Sequence, residues 1–140
     1  MRHVQQSPRA TRKEQSGACE SRGLVENLVA GREDEPFGIS VVTVAELLHG
    51  VERADTETRR IRRQAFVEKV IELIPVFPFD MGVARIYARI WASLLQRGFT
   101  VGSHDLIIAA TAISLDYTVI TANRRDFEKI EGLRLEVRSA

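Results

Sequence analysis

The chain has 140 residues and a formal net charge of +1 at pH 7, with 44% hydrophobic and 28% charged residues. This length suits one domain that buries its own core, and the composition is that of an ordinary globular protein. A single cysteine excludes an intramolecular disulfide, and the sequence contains neither a membrane-spanning run of roughly 18 apolar residues nor a signal-peptide core. The small net charge means that any nucleic-acid binding must come from local arginine clusters. We expect a cytoplasmic protein.

The N-terminal segment, residues 1–23, has few apolar side chains and no periodicity. This pattern predicts a disordered leader followed by a folded domain over residues 24–140. Within that domain, Leu24–Ala30 is compatible with a short helix and Gly31–Gly38 is a polar loop.

A strand is predicted over Ile39–Val42, where β-branched residues dominate. Thr43 and Glu46 then form a Thr-x-x-Glu pattern, the capping box that opens a helix.

The next helix is predicted to begin at Asp55 or Thr56 and to end before Pro75. Its predicted apolar stripe is Ile61, Ala65, Phe66, Val70, Leu73 and Ile74. Its basic start is Arg59, Arg60, Arg62 and Arg63, which is either a solvated face or a set of phosphate contacts. After a short strand at Val76–Phe77, Asp80 is the predicted N-cap of an amphipathic helix that ends before Gly98.

The chain is organised around Val101–Phe127. An apolar helix covers Leu106–Ile113, and a strand without alternation covers Tyr117–Thr121, as expected of a strand buried on both faces of a parallel sheet. Further on, apolar and charged residues alternate through Val137, which predicts an edge strand. Strands separated by helices indicate an α/β domain with a mainly parallel sheet.

Glu46, Asp105 and Asp126 share a local setting, because each is placed in or just before the first turn of a predicted helix. Acids in such places cap amides and complement the helix dipole. They are also ligands that Mg²⁺ takes, together with waters and substrate phosphates, so a nuclease site is the alternative interpretation. His49 and His104 are near two of these acids in sequence and are expected in surface or capping roles.

Three stretches in order, ISVVTVAELLHGVERAD, PVFPFD and VGSHDLIIAATAISLDYTVITANRRDFEKIEGLRLEV, resemble the PIN-domain ribonucleases of the VapC toxin type. The resemblance covers about residues 24–137. It implies a three-layer α/β/α domain with a mainly parallel sheet and an acidic site that holds Mg²⁺ or Mn²⁺ to cut RNA. In that family a cognate VapB-like antitoxin inhibits the toxin, and the toxin is expected to form a homodimer.

The family's motifs assign site residues by position. The Glu of T-x-x-E-L matches Glu46, the Asp of D-L-x-I-A-A matches Asp105, and the Asp of T-x-N-x-x-D-F matches Asp126. Thr43 and Asn123 are supporting residues of the same motifs. Arg124 and Arg125 flank Asp126 and are candidates for contact with the RNA backbone.

The N-terminus departs from the family, whose first strand lies at the sheet centre and ends in Asp-Thr-Asn or Asp-Thr-Ser. Nothing in residues 1–23 resembles that element, so we expect the N-terminal strand and the first metal-binding aspartate to be absent. A frameshift, a misassigned start or a disrupted gene would explain the abrupt beginning of the match. Two functions follow: a Mg²⁺-dependent endoribonuclease toxin impaired by the lost aspartate, or a catalytically inactive remnant that only binds an antitoxin.

Overall fold

The computed structural model describes residues 2–5 and 35–138, and the side chains of the second range. The strands of these ranges are β1 (Arg2–Gln5), β2 (Phe37–Ser40), β3 (Val76–Phe77), β4 (Tyr117–Thr121) and β5 (Arg134–Val137). The helices are α1 (Val41–Glu52), α2 (Glu57–Leu73), α3 (Met81–Gln96), α4 (Ser103–Leu115) and α5 (Arg124–Phe127). No helix of the described ranges is both long enough and apolar enough to cross a membrane.

The strands form one sheet in the order β3-β2-β1-β4-β5, with every described pair parallel. The predicted α/β class with a parallel sheet is therefore confirmed, and so is the edge position of β5. From β2 onward, the chain crosses over between successive parallel strands through helices. Right-handed crossovers that run in opposite directions, β2 to β3 and β3 to β4, place α1–α2 and α3–α4 on opposite faces of the sheet.

The expected absence of the N-terminal strand is wrong, because β1 occupies the centre of the sheet. Arg2–Gln5 pairs with Tyr117–Ile120 on one side, and His3 and Val4 pair with Phe37 and Gly38 on the other. A central parallel strand usually reads as an apolar run, and Arg-His-Val-Gln does not. Ladder pairing is made by backbone groups, so a polar sequence can still fill the position. The predicted leader beyond β1, the boundary at residue 24 and the helix over Leu24–Ala30 lie outside the described residues.

The junction of β2 and α1 differs from the prediction. The strand ends at Ser40, and Ser40 rather than Thr43 is the N-cap, since its hydroxyl accepts a hydrogen bond of 3.1 Å from the Val42 N–H. The predicted capping box is therefore wrong, and Glu46 lies beyond the first turn of α1. Val42, although β-branched, is buried in the helix, which shows tertiary burial overriding strand propensity.

Helices α2 and α3 begin where the sequence predicts. Thr56 caps α2 by accepting from the Arg59 N–H, and Asp80 caps α3 by accepting from the Val83 N–H. Gly98 follows α3 with a positive φ of 76°. The predicted apolar stripe of α2 is too wide, because its members Ile61 and Leu73 are exposed. In α3, whose sequence also places Trp91 and Leu95 on the apolar face, both side chains are exposed.

The predicted burial of α4 and β4 is confirmed. Every residue of β4 is buried. The larger core cluster joins α3, α4 and β4 and comprises Val42, Val83, Ile90, Leu94, Leu106, Ile108, Ala109, Ala110, Ala112, Tyr117, Val119, Phe127 and Ile130. The smaller core cluster joins β2, α1 and α2 and comprises Ile39, Val44, Leu47, Val51, Val67, Val70 and Ile74.

Candidate functional site

The candidate site lies at the edge of the sheet where β1, β2 and β4 end. These strands are parallel and adjacent, so their carboxyl ends meet at one edge. The chain reverses its direction across the sheet at β1, with β2 on one side and β4 on the other. In open α/β sheets, ligands bind in the crevice beyond the carboxyl ends at such a switch point.

Glu46 and His104 meet at this edge. Glu46 projects from α1, which begins directly after β2, and His104 lies in the first turn of α4. The His104 Nδ1 and Glu46 Oε1 atoms are 2.9 Å apart, with the Glu46 side chain 21% exposed. The contact places Glu46 beside the N-terminal turn of α4, which also carries Asp105. Two of the three predicted acids are therefore brought to the same corner.

Asp105 is half-buried and, as predicted, lies in the first turn of its helix. The buried side of α4 begins with its neighbour Leu106. A carboxylate at this position sits at the positive end of the helix dipole. Asp105 is thus held where the apolar helix emerges from the core.

Asp126 lies in the first turn of α5, five residues after β4 ends, and α5 packs against α4. Its side chain is 18% exposed, and its Oδ1 is 3.7 Å from the Lys129 Nζ. The Asn123 Nδ2 donates a hydrogen bond of 3.4 Å to the Asp126 Oδ2, and the Asn123 N–H donates to the Thr121 hydroxyl. Asn123 therefore ties Asp126 to the end of β4, as a supporting residue would.

The other predicted residues divide into buried and exposed. Thr43 is buried in α1, with 4% exposure. Arg124 and Arg125 are exposed, and the Arg124 Nε is 3.9 Å from the Glu128 carboxylate. Both arginines remain accessible to a ligand at the edge of the sheet.

The acids fit a hard divalent cation in chemistry but do not form a trio. Carboxylate oxygens are the donors that Mg²⁺ and Mn²⁺ take in proteins. Among residues 35–138, however, no three His, Cys, Asp or Glu side chains lie close enough together to hold a metal ion. Mg²⁺ is usually bound by one or two carboxylates plus waters and substrate phosphates. That smaller requirement does not need three protein side chains in one cluster.

Two residues that contact the predicted acids were not anticipated in that role. His104 is paired with Glu46 across 58 positions of sequence, and Lys129 is paired with Asp126. Lys129 follows Asp126 at the i, i+3 spacing that brings side chains together on a helix, which could have indicated the pair. No local spacing signals the His104 contact.

Comparison with known proteins adds a family to this geometry. Residues 14–133 match the family model described as PIN domain. The chain is 42% identical over 97 residues to "Ribonuclease VapC1" of Rickettsia felis, covering 69% of this chain and 72% of the relative. It is 36% identical over 98 residues to "tRNA(fMet)-specific endonuclease VapC" of Shigella flexneri, covering 70% and 72%.

A solved structure supports the same grouping. The crystal structure of DNA-bound VapBC from Salmonella typhimurium aligns with a TM-score of 0.77 and 30% identity, and the alignment covers 98% of both chains. The similarity therefore extends over the whole sheet and the helices that carry the acids.

Proposed function

Because this chain belongs to the PIN-domain family, we propose that it is a Mg²⁺- or Mn²⁺-dependent endoribonuclease and the toxin of a VapBC-type toxin–antitoxin pair. The observation that carries the proposal is the meeting of Glu46 with the first turn of α4, which holds Asp105, beside the central strand. The names of the relatives, a ribonuclease and a tRNA endonuclease, agree with RNA as the substrate. The VapBC structure agrees with a VapB-like antitoxin as the partner.

Each residue has a defined task in this proposal. Glu46 and Asp105 would hold the cation, and His104 fixes the orientation of the Glu46 carboxylate. Asp126, held by Asn123, adds negative charge at the same edge. The exposed Arg124 and Arg125 would attract the RNA backbone. A bound Mg²⁺ or Mn²⁺ would supply Lewis-acid activation of water and stabilisation of the leaving oxygen.

The position after β1 argues for reduced activity. The family resemblance expects an aspartate where the central strand ends, but here β1 ends in Gln5 and continues as Gln6-Ser7. One charged ligand is therefore missing from the end of the central strand, and a cation with fewer ligands aligns the reacting groups less well. Misplacement by about 1 Å can reduce a rate on the order of 100-fold.

The same observation supports a second candidate function, an inactive PIN-domain protein that only binds an antitoxin. This candidate retains the fold and the partner but has no cleavage activity with any divalent cation. Both candidates predict a complex with a VapB-like antitoxin, so only the RNA assay distinguishes them.

The test is cleavage of RNA, including tRNA, by the purified full chain with Mg²⁺, with Mn²⁺ and with a chelator. We expect slow cleavage that requires the cation and that Asp105→Asn lowers at least 100-fold, because Asn keeps the shape and loses the charge. The matched control is Asp116→Asn at the opposite end of α4, where Asp116 pairs with Arg134.

Calorimetric titration with Mn²⁺ gives a second readout, in which Asp105→Asn should lose affinity and Asp116→Asn should not. Chelator-resistant cleavage, or equal activity of the two variants, would contradict the proposed site. Tight antitoxin binding without any cleavage would favour the second candidate.

A further inference from the structure

A cleft lies between α1 and α2, next to the candidate site. Its volume is about 470 Å³. It is lined by Glu46, His49, Gly50, Arg53, Asp55, Arg59 and Arg63. Glu46 is thus shared between the cleft and the candidate site, so a ligand bound at one could continue into the other.

The lining follows from the periodicity of α1. Glu46, Gly50 and Arg53 are spaced i, i+4 and i+7, which places them along one face of the helix. At 1.5 Å rise per residue, Glu46 and Arg53 are separated by about 10 Å along the axis. The arginine end of the cleft is therefore distinct from its carboxylate end.

The charges in the cleft are unequally paired. Asp55 accepts two hydrogen bonds of 2.8 Å from the Arg59 Nη1. Through this hydrogen bonding Arg59 lowers the pKa of Asp55, so the carboxylate stays ionised and occupied at neutral pH. Across residues 35–138, Arg53 and Arg63 have no carboxylate at ion-pairing distance. Arg63 also contributes, by charge attraction at longer range, to the lowered pKa of Asp55, but neither Arg53 nor Arg63 forms a direct ion pair within residues 35–138.

Arg63 is held in place while part of its hydrogen-bonding capacity is unused. Its Nη1 donates to the Gly50 carbonyl oxygen at 2.7 Å, which ties α2 to α1. Its Nε is buried and has no hydrogen-bond partner. The hydrogen bond to Gly50 fixes the position of the guanidinium, and a positioned guanidinium is well suited to bind phosphate oxygens.

We propose that this cleft is a subsite for a backbone phosphate of the RNA substrate, next to the phosphate at the carboxylate site, with Arg53 and Arg63 as its ligands. The inference rests on the proposed ribonuclease function and specifies where the substrate strand runs. The sequence left open whether the basic start of α2 is solvated or touches phosphate. In this subsite Arg63 touches phosphate, and so does Arg53, the C-cap residue of α1.

The test measures RNA binding with a chelator present, so that no divalent cation supports cleavage, using a fluorescein-labelled single-stranded RNA, fluorescence anisotropy and a series of NaCl concentrations. Each phosphate contact contributes about 0.7 to the slope of log K against log salt for single strands. We expect Arg53→Gln to reduce the slope by about 0.7 and Arg53→Lys to retain it. Arg53 is exposed, so we expect its substitution to have little effect on folding.

The matched control is Arg89→Gln, which removes the same charge from an exposed position on α3, outside the cleft. It should leave the slope unchanged. With Mg²⁺ in place of the chelator, Arg53→Gln should raise the KM for RNA several-fold with little change in kcat.

The possible results distinguish failure of the phosphate subsite from failure of the proposed ribonuclease function. If the parent chain cleaves RNA but Arg53→Gln matches Arg89→Gln in slope and in KM, the subsite is refuted and the ribonuclease function stands. If the parent neither binds nor cleaves RNA, both are refuted. If Arg53→Gln weakens only the complex with a co-expressed antitoxin, the cleft is a protein interface and the subsite is wrong.

Discussion

Gly38 lies where β2 and β3 approach most closely. A Cβ at this position would be 2.5 Å from the Phe77 ring and 2.6 Å from the Pro75 carbonyl oxygen. The ring could rotate away, but the carbonyl accepts a hydrogen bond from the Ile39 N–H and is fixed by the sheet. We expect Gly38→Ala to destabilise the protein by about 1–3 kcal/mol, the usual range for overpacking. Denaturant unfolding followed by circular dichroism would measure it.

The matched control is Gly82→Ala in α3. A Cβ there would meet only the Asp80 Oδ1, at 3.4 Å, which is ordinary contact. Since Ala favours helix over Gly by up to about 1 kcal/mol, this variant should be neutral or more stable. Equal destabilisation by both substitutions would contradict the close approach at Gly38.

For single residues, the sequence predicts the position within a helix or strand better than it predicts the contacts of the side chain. Asp105 and Asp126 could be placed in first helical turns because the polar-to-apolar transitions that open α4 and α5 are local. The contact between Glu46 and His104 could not be predicted, because it depends on how α1 packs against α4. The contact between Lys129 and Asp126 is an intermediate case, since the i, i+3 spacing suggests the contact but does not determine the rotamer of Lys129.

At the scale of an element, the N-cap of α1 gives a direct test. Ser40 is fully buried, and its hydroxyl satisfies the Val42 N–H. Ser40→Ala should cost about 0.5–2 kcal/mol of folding free energy, as measured by thermal or denaturant unfolding. Ser103→Ala makes the same chemical change at an exposed position in α4 and should stay within about 0.5 kcal/mol of the parent. A silent Ser40→Ala would favour the Thr43 cap that the sequence predicted.

The two kinds of element boundary explain which predictions succeeded. The start of α3 has an Asp N-cap and its end has a Gly with positive φ, so local chemistry determines both. The start of α1 lies within the run Ile-Ser-Val-Val, where propensity favours a strand and burial of Val42 favours the helix. Only the packing of the whole domain decides between them.

For the whole molecule, the decisive variant restores a carboxylate at the end of the central strand. Gln5 is the last residue of β1, paired with Ile120 of β4. We expect Gln5→Asp, or its neighbour Gln6→Asp, to tighten Mn²⁺ binding and to raise the single-turnover rate of RNA cleavage by on the order of 100-fold. Fluorescence-detected cleavage and calorimetry would measure the two effects.

Gln5→Asn is the control, because it shortens the side chain as Asp does and adds no charge. It should match the parent in both assays. If the two Asp variants also match the parent, a carboxylate at this position is dispensable and the account of reduced activity is wrong.

The sequence predicts the class of the fold and misses its central strand for one reason. The apolar runs of β4 and the edge pattern of β5 are strong signals, whereas Arg-His-Val-Gln has no apolar signature. The position of β1 is determined by its two neighbours, because β2 and β4 both have backbone groups that pair with it. That information belongs to the assembled sheet.

The two core clusters have a consequence for how the site depends on folding. Glu46 lies on α1, whose buried residues belong mainly to the smaller cluster. Asp105 and Asp126 lie on α4 and α5, whose buried residues belong to the larger one. Through the sheet, β1 is the strand between them. If the smaller core cluster opened locally, α4 and β4 would stay folded, but Glu46 would move away from Asp105 and Asp126. The fraction of molecules with an assembled site would then be limited by the less stable of the two clusters. A covalent cross-link between the two clusters could preserve the site without changing any of the acids.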